Sequence, residues 1–159
     1  MAKVILICGK ICCGKTTYSE RIREKENAVI LSVDEIMLSI FGQHAGDKHD
    51  EYANNTQKYL FDKSIEFVNA GVNIILDWGF WTKINRKKAR EFYKAQGIEV
   101  EFHYIDICDE IWQQRLDYRN KQVELGQTSA YFVDENLANK FASIFEVPDK
   151  DEIDVWYNV

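Results

Sequence analysis

The chain has 159 residues, the length of one domain, and a domain of this size buries enough surface to fold without disulfides. Hydrophobic residues make up 46% and charged residues 29% of it, a balance typical of globular rather than disordered proteins. The formal net charge of −6 argues against a general binder of nucleic acid or anionic membranes, because such proteins carry excess Lys and Arg. A local basic groove stays compatible with that charge.

No targeting or membrane signal is expected. The first apolar run, Val4–Cys8, is too short for the core of a signal peptide, and no segment approaches the roughly 18 apolar residues of a membrane span. The cysteines Cys8, Cys12, Cys13 and Cys108 lack metal-ligand spacing, so we interpret them as free thiols in a reducing compartment. We therefore expect a cytoplasmic protein.

Apolar runs of strand length alternate with helical segments along the whole chain, a pattern that predicts a parallel α/β sheet. Since neither a repeat nor a compositional break interrupts it, we expect a single domain over residues 1–159. Residues 42–50 predict a surface loop and residues 123–130 a mobile connection. In chain order the predicted elements are strand Val4–Cys8, helix Lys15–Glu26, strand Ala28–Ser32, helix Asp34–Phe41, helix Tyr52–Ala70, strand Val72–Leu76, helix Thr82–Gln96, strand Val100–Ile107, helix Asp109–Gln122, helix Asp134–Phe145 and strand Ile153–Tyr157.

A phosphate-binding loop is predicted between the first strand and the first helix. Residues 9–16 read Gly-Lys-Ile-Cys-Cys-Gly-Lys-Thr and match G-x-x-x-x-G-K-[ST] without deviation. The glycines allow backbone amides to turn toward phosphate oxygens, and the following helix adds its positive end. Lys15 is expected to reach the β- and γ-phosphates of ATP, and Thr16 to ligate Mg²⁺. The expected nucleotide-binding residues are Gly9, Lys10, Ile11, Cys12, Cys13, Gly14, Lys15, Thr16 and Thr17.

Two aspartates follow predicted strands at the edge of the sheet where α/β proteins bind ligands. Asp34 could accept the proton of an acceptor hydroxyl as a general base, or simply cap the helix that it begins. Asp77 follows the third strand, where a carboxylate could hold Mg²⁺ or contact the acceptor, although many strands end in Asp.

Two arginines, Arg115 and Arg119, lie four residues apart on one predicted helix face next to the mobile connection. Such cations could close over ATP and stabilise charge on the transferred phosphoryl group. Alternatively they form a solvated face paired with Asp117 or Glu124. We favour a catalytic role, with Arg119 ahead of Arg115. Whether Cys12 and Cys13 respond to oxidation stays open.

The region after the third strand offers two weaker candidates. The aromatic residues Trp78, Phe80 and Trp81 could wall an acceptor pocket or pack in the core. Arg86 belongs to a basic helix face that is usually solvated, but it could contact an anionic substrate.

Taken together, four segments of this sequence resemble the small P-loop kinases. They are Gly9–Thr16, Ser32–Asp34, Asp77–Arg86 and Cys108–Asn120. The similarity is closest to the group that contains chloramphenicol phosphotransferase, the zeta toxins and the kinase domain of polynucleotide 5′-kinase, and it runs over nearly the whole chain. It implies a P-loop NTPase fold of three layers: a five-stranded parallel sheet in the order 2-3-1-4-5 between helices, with a helical lid at about residues 115–131.

The resemblance also implies a reaction and the residues that perform it. ATP with Mg²⁺ would be the donor and a hydroxyl the acceptor. Asp34 matches the family's proposed base, and Asp77 matches the carboxylate that contacts the acceptor or the water of the metal. Arg119 or Arg115 matches the arginine of the lid, and Lys15 the phosphate-binding lysine.

The acceptor is less well defined by the sequence. Residues 42–55 hold Asp47, Asp50 and Glu51 against a single Lys48, which disfavours a nucleic acid and favours a small molecule such as a nucleoside-like compound, a sugar nucleotide or an antibiotic. The alternatives are a polynucleotide 5′-hydroxyl kinase, and a non-catalytic module in which nucleotide binding opens and closes the lid.

Overall fold

The computed structural model describes residues 1–159, and its strands and helices alternate as predicted. No helix has the combination of length and apolar composition needed to cross a bilayer. In chain order the elements are β1 (Lys3–Cys8), α1 (Lys15–Glu26), β2 (Ala28–Leu31), α2 (Val33–Phe41), α3 (His49–Asn69), β3 (Asn73–Gly79), α4 (Lys83–Ala95), β4 (Glu99–Asp106), α5 (Asp109–Glu124), α6 (Glu135–Ile144) and β5 (Val155–Asn158).

The five strands form one parallel sheet in the order β2-β3-β1-β4-β5, which confirms the predicted topology. The central strand β1 is buried from Val4 through Cys8, as its continuous apolar sequence requires. Because all strands run the same way, their carboxyl ends meet at one edge of the sheet. The phosphate loop, Asp34 and Asp77 all follow or lie in strands at that edge.

Alternate side chains of β1 pack into two separate cores, one on each face of the sheet. Val4 and Leu6 pack in the cluster that contains Val68 of α3 and Tyr93 of α4. On the other face, Ile5 and Ile7 pack in the cluster that contains Tyr18 of α1, against which residues of α5 also pack. Helices thus cover both faces, and the exposed carboxyl edge is left for the site.

Two local predictions about Asp34 and Asp77 were wrong. The residue that caps α2 is Ser32, whose Oγ accepts a hydrogen bond from the Glu35 amide at 3.3 Å, so Asp34 lies inside the first turn. The strand β3 does not end before Asp77 but runs on to Gly79, which pairs with Cys8. A hydrogen bond to the Ser32 side chain decides the first point and backbone pairing the second, and composition reveals neither.

The connection between α2 and α3 is shorter than expected from its polar sequence. Residues Gly46–Lys48 form a turn of 3₁₀ helix, and α3 begins directly after it at His49. The predicted loop over residues 42–50 therefore holds only its first few residues in irregular structure.

Candidate active site

The phosphate loop joins β1 to α1 and is anchored to the neighbouring strand by a hydrogen bond from the Gly9 amide to the Gly79 carbonyl at 3.0 Å. Lys15 Nζ donates to the carbonyls of Gly9 at 3.2 Å and Lys10 at 2.6 Å, so the ammonium group lies across the concave side of the loop. Both glycines of the motif are required by their surroundings. A Cβ on Gly9 would lie 2.6 Å from Cys13 Sγ, and Gly14 has φ +102°.

Cys12 holds the least favourable backbone conformation of the loop. Its φ is +59°, a left-handed value that costs a side-chain-bearing residue about 1–2 kcal/mol. Its thiol nevertheless has a partner, because Arg119 Nη1 donates to Cys12 Sγ at 3.1 Å. The strained residue therefore joins the loop to α5.

Neither loop cysteine has the environment of a reactive thiolate. Burial raises the pKa of the Cys12 thiol, although the Arg119 guanidinium opposes this effect. The Cys13 side chain is completely buried. A thiol that is completely buried, or whose pKa is raised, reacts slowly with oxidants, so the geometry does not favour the redox hypothesis.

Asp77 is the most strongly perturbed carboxylate of the site. Burial raises its pKa to about 6; the nearby Asp34 carboxylate adds to that rise, whereas the Lys15 ammonium and the Ser32 hydroxyl oppose it. The structure thus brings Asp34, Asp77 and Lys15 together, as their positions at the carboxyl edge predicted. A carboxylate held in a dehydrated position next to a second one is suited to a cation.

Both candidate arginines point at the phosphate loop rather than into solvent. Arg115 Nη1 donates to the Cys13 carbonyl at 2.7 Å. Arg119 contacts Cys12, as described, and its Nη2 donates to the Tyr131 carbonyl at 3.0 Å. The alternative in which they pair with neighbouring carboxylates is not observed.

Residues 130–133 form a short irregular segment that lines the site, and it is held by three polar side chains. Gln43 donates to the Ala130 carbonyl at 2.6 Å and accepts from the Phe132 amide at 3.2 Å. Asn120 makes the equivalent pair of bonds with the backbone of Val133, at 2.6 and 2.9 Å. With Arg119 as the third, these contacts join the α2–α3 connection, α5 and the segment. We call residues 130–133 the strap.

Sequence reasoning missed Gln43, Asn120 and Tyr131 as parts of the site. Gln43 and Asn120 bond to backbone groups that lie 13 to 89 positions away, and the Tyr131 carbonyl accepts from Arg119 12 positions away. No local motif encodes such contacts. Asn120 directly follows the two candidate arginines in the sequence Arg-x-x-x-Arg-Asn, and this position was the one local sign that it belongs to the site.

The aromatic candidates at the end of β3 take both predicted roles, since one packs in the core and two line the cavity. Phe80 is buried in the core. Trp78 and Trp81 line the cavity, but Trp78 also donates to the Leu31 carbonyl at 2.7 Å. Arg86 is not available to a substrate, because its guanidinium is 2% exposed and pairs with Glu152 at 3.0 Å.

One cavity of about 1400 Å³ connects most of the predicted site residues, although Gly9 and Lys10 lie outside its lining. The phosphate loop and the two arginines line it together with Asp34 and Asp77. Arg21 and Tyr157 line another part, in which the Arg21 guanidinium lies 4.6 Å from the Tyr157 ring centre. The remaining lining comes from the start of α3, the strap and α6.

The donor set fits a Mg²⁺ ion that is shared with phosphates rather than one held by the protein alone. No three His, Cys, Asp or Glu side chains are grouped closely enough to hold a metal. Thr16, in the first turn of α1, offers an exposed hydroxyl without a protein partner, and Asp77 offers a partly buried carboxylate. Mg²⁺ in nucleotide sites commonly keeps only one or two protein ligands, so the pair is sufficient.

Comparisons with known proteins agree with this geometry. The profile of the AAA domain family AAA_33 matches residues 4–148. No curated protein matches the chain. Solved structures do: the Mycobacterium tuberculosis APS kinase CysC, in a complex with AMPPNP and APS, has a TM-score of 0.67 and 13% identity, with 99% of this chain and 88% of that chain covered.

Two further structures extend the comparison. A gluconokinase from Sinorhizobium meliloti 1021 has a TM-score of 0.63 and 14% identity over 99% of this chain and 81% of that one. A chain of the Pnkp1/Rnl/Hen1 RNA repair complex has a TM-score of 0.70 and 19% identity over 90% of this chain but 43% of that one. At such low identity these structures establish the fold alone, and they confirm the resemblance to P-loop kinases at that level.

Proposed function

Since the chain belongs to the AAA_33 family of AAA domains and has the fold of P-loop kinases, we propose that it transfers the γ-phosphoryl group of ATP to a hydroxyl of a small molecule. One observation carries the proposal. A phosphate loop, two carboxylates and two arginines converge on one cavity, which is the set of groups that phosphoryl transfer requires.

On the donor side, the loop amides of residues 9–17 and Lys15 bind the phosphates of ATP. Thr16 and Asp77 hold Mg²⁺, which neutralises charge on the β- and γ-phosphates when bound. Lys15 exchanges its present carbonyl partners in the loop for phosphate oxygens, which are stronger acceptors for an ammonium group.

On the acceptor side, Asp34 is the general base. It lies in the first turn of α2 with an exposed side chain and lines the cavity beside Asp77. As the hydroxyl oxygen bonds to the γ-phosphorus and the bond to the ADP oxygen breaks, the Asp34 carboxylate accepts the hydroxyl proton.

The arginines stabilise the charge that moves between donor and acceptor. Arg115 lies on the loop at Cys13, and Arg119 lies between Cys12 and the strap at Tyr131. Because Arg119 contacts both the loop and the strap, we assign it to hold the strap closed over bound ATP as a lid, and we assign Arg115 to the phosphates.

The test is transfer of labelled γ-phosphate from ATP·Mg²⁺ to a panel of nucleosides, UDP-sugars, hydroxyl-bearing antibiotics and a 5′-hydroxyl oligonucleotide. Asp34→Asn should lower transfer by about 10²-fold or more while ATP still binds, because loss of a general base typically has that effect. Glu35→Gln is the matched control, since Glu35 is in the same helical turn but does not line the cavity. Full activity of Asp34→Asn would refute the assignment.

A polynucleotide 5′-hydroxyl kinase is the second candidate, favoured by the structural similarity to the Pnkp1 complex. It predicts oligonucleotide binding that weakens steeply with salt, because phosphate contacts release counterions. Binding of ATP with no transfer to any acceptor would instead favour a nucleotide-gated binding module.

A further inference from the structure

The cavity is larger than one ligand needs. Pockets for single small ligands span about 300–1000 Å³, whereas this one has about 1400 Å³. The phosphate loop and Arg21 line one part of the cavity. The start of α3 and the strap line another part. We call the part lined by α3 and the strap the acceptor chamber.

Cationic side chains in the cavity belong almost entirely to the donor part. Lys15 and Arg115 bond to carbonyls of the phosphate loop, and Arg119 contacts Cys12 in the same loop. Arg21 donates to the Tyr157 hydroxyl at 3.0 Å. Lys15, Arg115 and Arg21 therefore belong to the donor part. Arg119 also reaches the strap, where its Nη2 donates to the Tyr131 carbonyl at 3.0 Å, so both ends of its guanidinium have partners.

The face that α3 presents to the chamber is polar without being basic. Asp50, Asn54 and Gln57 line the cavity at spacings of four and three residues, which places them on one side of the helix. None of these three side chains makes a hydrogen bond within the protein. The lysines Lys48 and Lys58 lie outside the cavity lining. A carboxylate and two amides thus stand free to bind hydroxyl or amino groups.

The strap adds an unused polar group above Asp34. The Tyr131 hydroxyl is buried and has no hydrogen-bond partner, and the edge of the His49 ring packs against the Tyr131 ring at 5.5 Å. Burial and the Asp34 carboxylate both raise the pKa of Tyr131, which places the phenol near the proposed base as a neutral donor. A buried donor of this kind is costly unless a ligand satisfies it.

We propose that the acceptor is a polyhydroxy compound without phosphate or other anionic groups, neutral or amine-bearing, and that Asp50, Asn54, Gln57 and Tyr131 bind its hydroxyl or amino groups. The inference rests on the proposed function and narrows it. It excludes sugar nucleotides and nucleic acids, because their phosphates would lie against the carboxylates of Asp34 and Asp50 with no lysine or arginine from α3 to compensate. The other basic side chains in the lining are the exposed Lys140 on α6 and the histidines His44 and His49.

The experiment compares acceptors in pairs that differ only by a phosphate and keep a free hydroxyl. The pairs are nucleosides with their 3′-monophosphates and glucose with glucose 1-phosphate; an aminoglycoside and a 5′-hydroxyl oligonucleotide complete the set. We expect an unphosphorylated compound to be used with a kcat/KM at least about tenfold above that of its phosphorylated partner, because like charges placed against each other cost that much or more. Lys140→Gln should leave this preference unchanged.

Variants of α3 test the binding residues separately. Asn54→Leu and Gln57→Leu should each raise the KM for the acceptor about fivefold or more, with the KM for ATP unchanged, since each removes hydrogen bonds to the acceptor alone. Asn55→Leu is the control, as Asn55 is exposed on the same helix but does not line the cavity.

Three outcomes would overturn the proposal. The enzyme could prefer the phosphorylated compound of a pair or the oligonucleotide, it could use both compounds of a pair equally, or it could bind ATP and use no acceptor of the set. An unchanged acceptor KM in both α3 variants would overturn it as well. Failure of the proposed function is distinguishable: efficient transfer to a phosphorylated acceptor would overturn this inference alone, whereas ATP binding with no transfer to any acceptor would overturn the proposed function as well.

Discussion

Arg115 of α5 donates a hydrogen bond from Nη1 to the Cys13 carbonyl at 2.7 Å, and a Cβ placed on Gly14 would lie 2.6 Å from the same nitrogen. The Arg115 guanidinium therefore contacts the turn of the phosphate loop directly. This contact, across 102 positions of sequence, joins the helix before the strap to the nucleotide site.

Replacement of this arginine should impair catalysis more than folding. We expect Arg115→Gln to lower kcat/KM for ATP by about 10²-fold, because the loss of one charged donor to a transferring phosphoryl group has effects of that order. Steady-state kinetics with the identified acceptor measure this. Lys121→Gln, at an exposed cation of the same helix, is the control, and equal effects of the two substitutions would contradict the assignment.

The strap should loosen when its contact with the α2–α3 connection is removed. Gln43→Ala deletes the acceptor of the Phe132 amide and the donor to the Ala130 carbonyl. We expect faster hydrogen exchange at the Phe132 amide and a lower kcat, since the site would close less completely. Gln127→Ala, near the strap but with no side-chain bond, should change neither. Unaltered exchange at Phe132 in Gln43→Ala would show that the strap is held without Gln43.

Asp77 should be a residue that favours function at the expense of stability. Its pKa is raised from 3.8 to about 6, so the folded state binds more protons between these values and the free energy of unfolding falls as the pH rises through that window. Asp77→Asn removes this penalty, and we expect it to stabilise the ligand-free protein by about 2–3 kcal/mol at pH 7 while it abolishes transfer. Urea denaturation measures the change, with the exposed Asp62→Asn as control. A destabilised Asp77→Asn protein would contradict the electrostatic argument.

His103 predicts a pH dependence of the opposite sign. It is buried between the Tyr18 hydroxyl, 2.9 Å from Nδ1, and Glu101, 3.2 Å from Nε2. Burial lowers its pKa below 6.5, although Glu101 opposes this shift. The unfolded chain therefore binds more protons just below pH 6.5, and the stabilisation that is complete above this pH declines as the pH falls.

We expect His103→Gln to flatten that part of the stability profile. The measurement is the free energy of unfolding between pH 5 and 7.5, relative to the wild type, so that the contribution of Asp77 cancels. His44→Gln, at an exposed histidine, should follow the wild-type profile. A profile of His103→Gln that falls as steeply as that of the wild type would show that another group titrates there.

Most of the fold was predictable from local patterns. The run Val4–Cys8 gave a central strand because both of its faces are apolar, and helix Lys15–Glu26 was predicted with the bounds that it has. The end of β3 was not predictable, since the pairing with β1 is interrupted at Asp77 and Trp78 and resumes between Gly79 and Cys8. Composition marks where a strand is apolar, but backbone partners decide where it ends.

The sequence by itself determined the strand–loop–helix unit of residues 3–26, because the glycines and the lysine of such a loop must stand at fixed spacing in one contiguous segment. Only the tertiary structure decided how Gln43, Asn120 and Tyr131 build the strap, and which face of α3 lines the acceptor chamber. Those contacts join side chains to backbone groups on distant elements, and their free energy depends on burial and distance, which arise only when the elements pack.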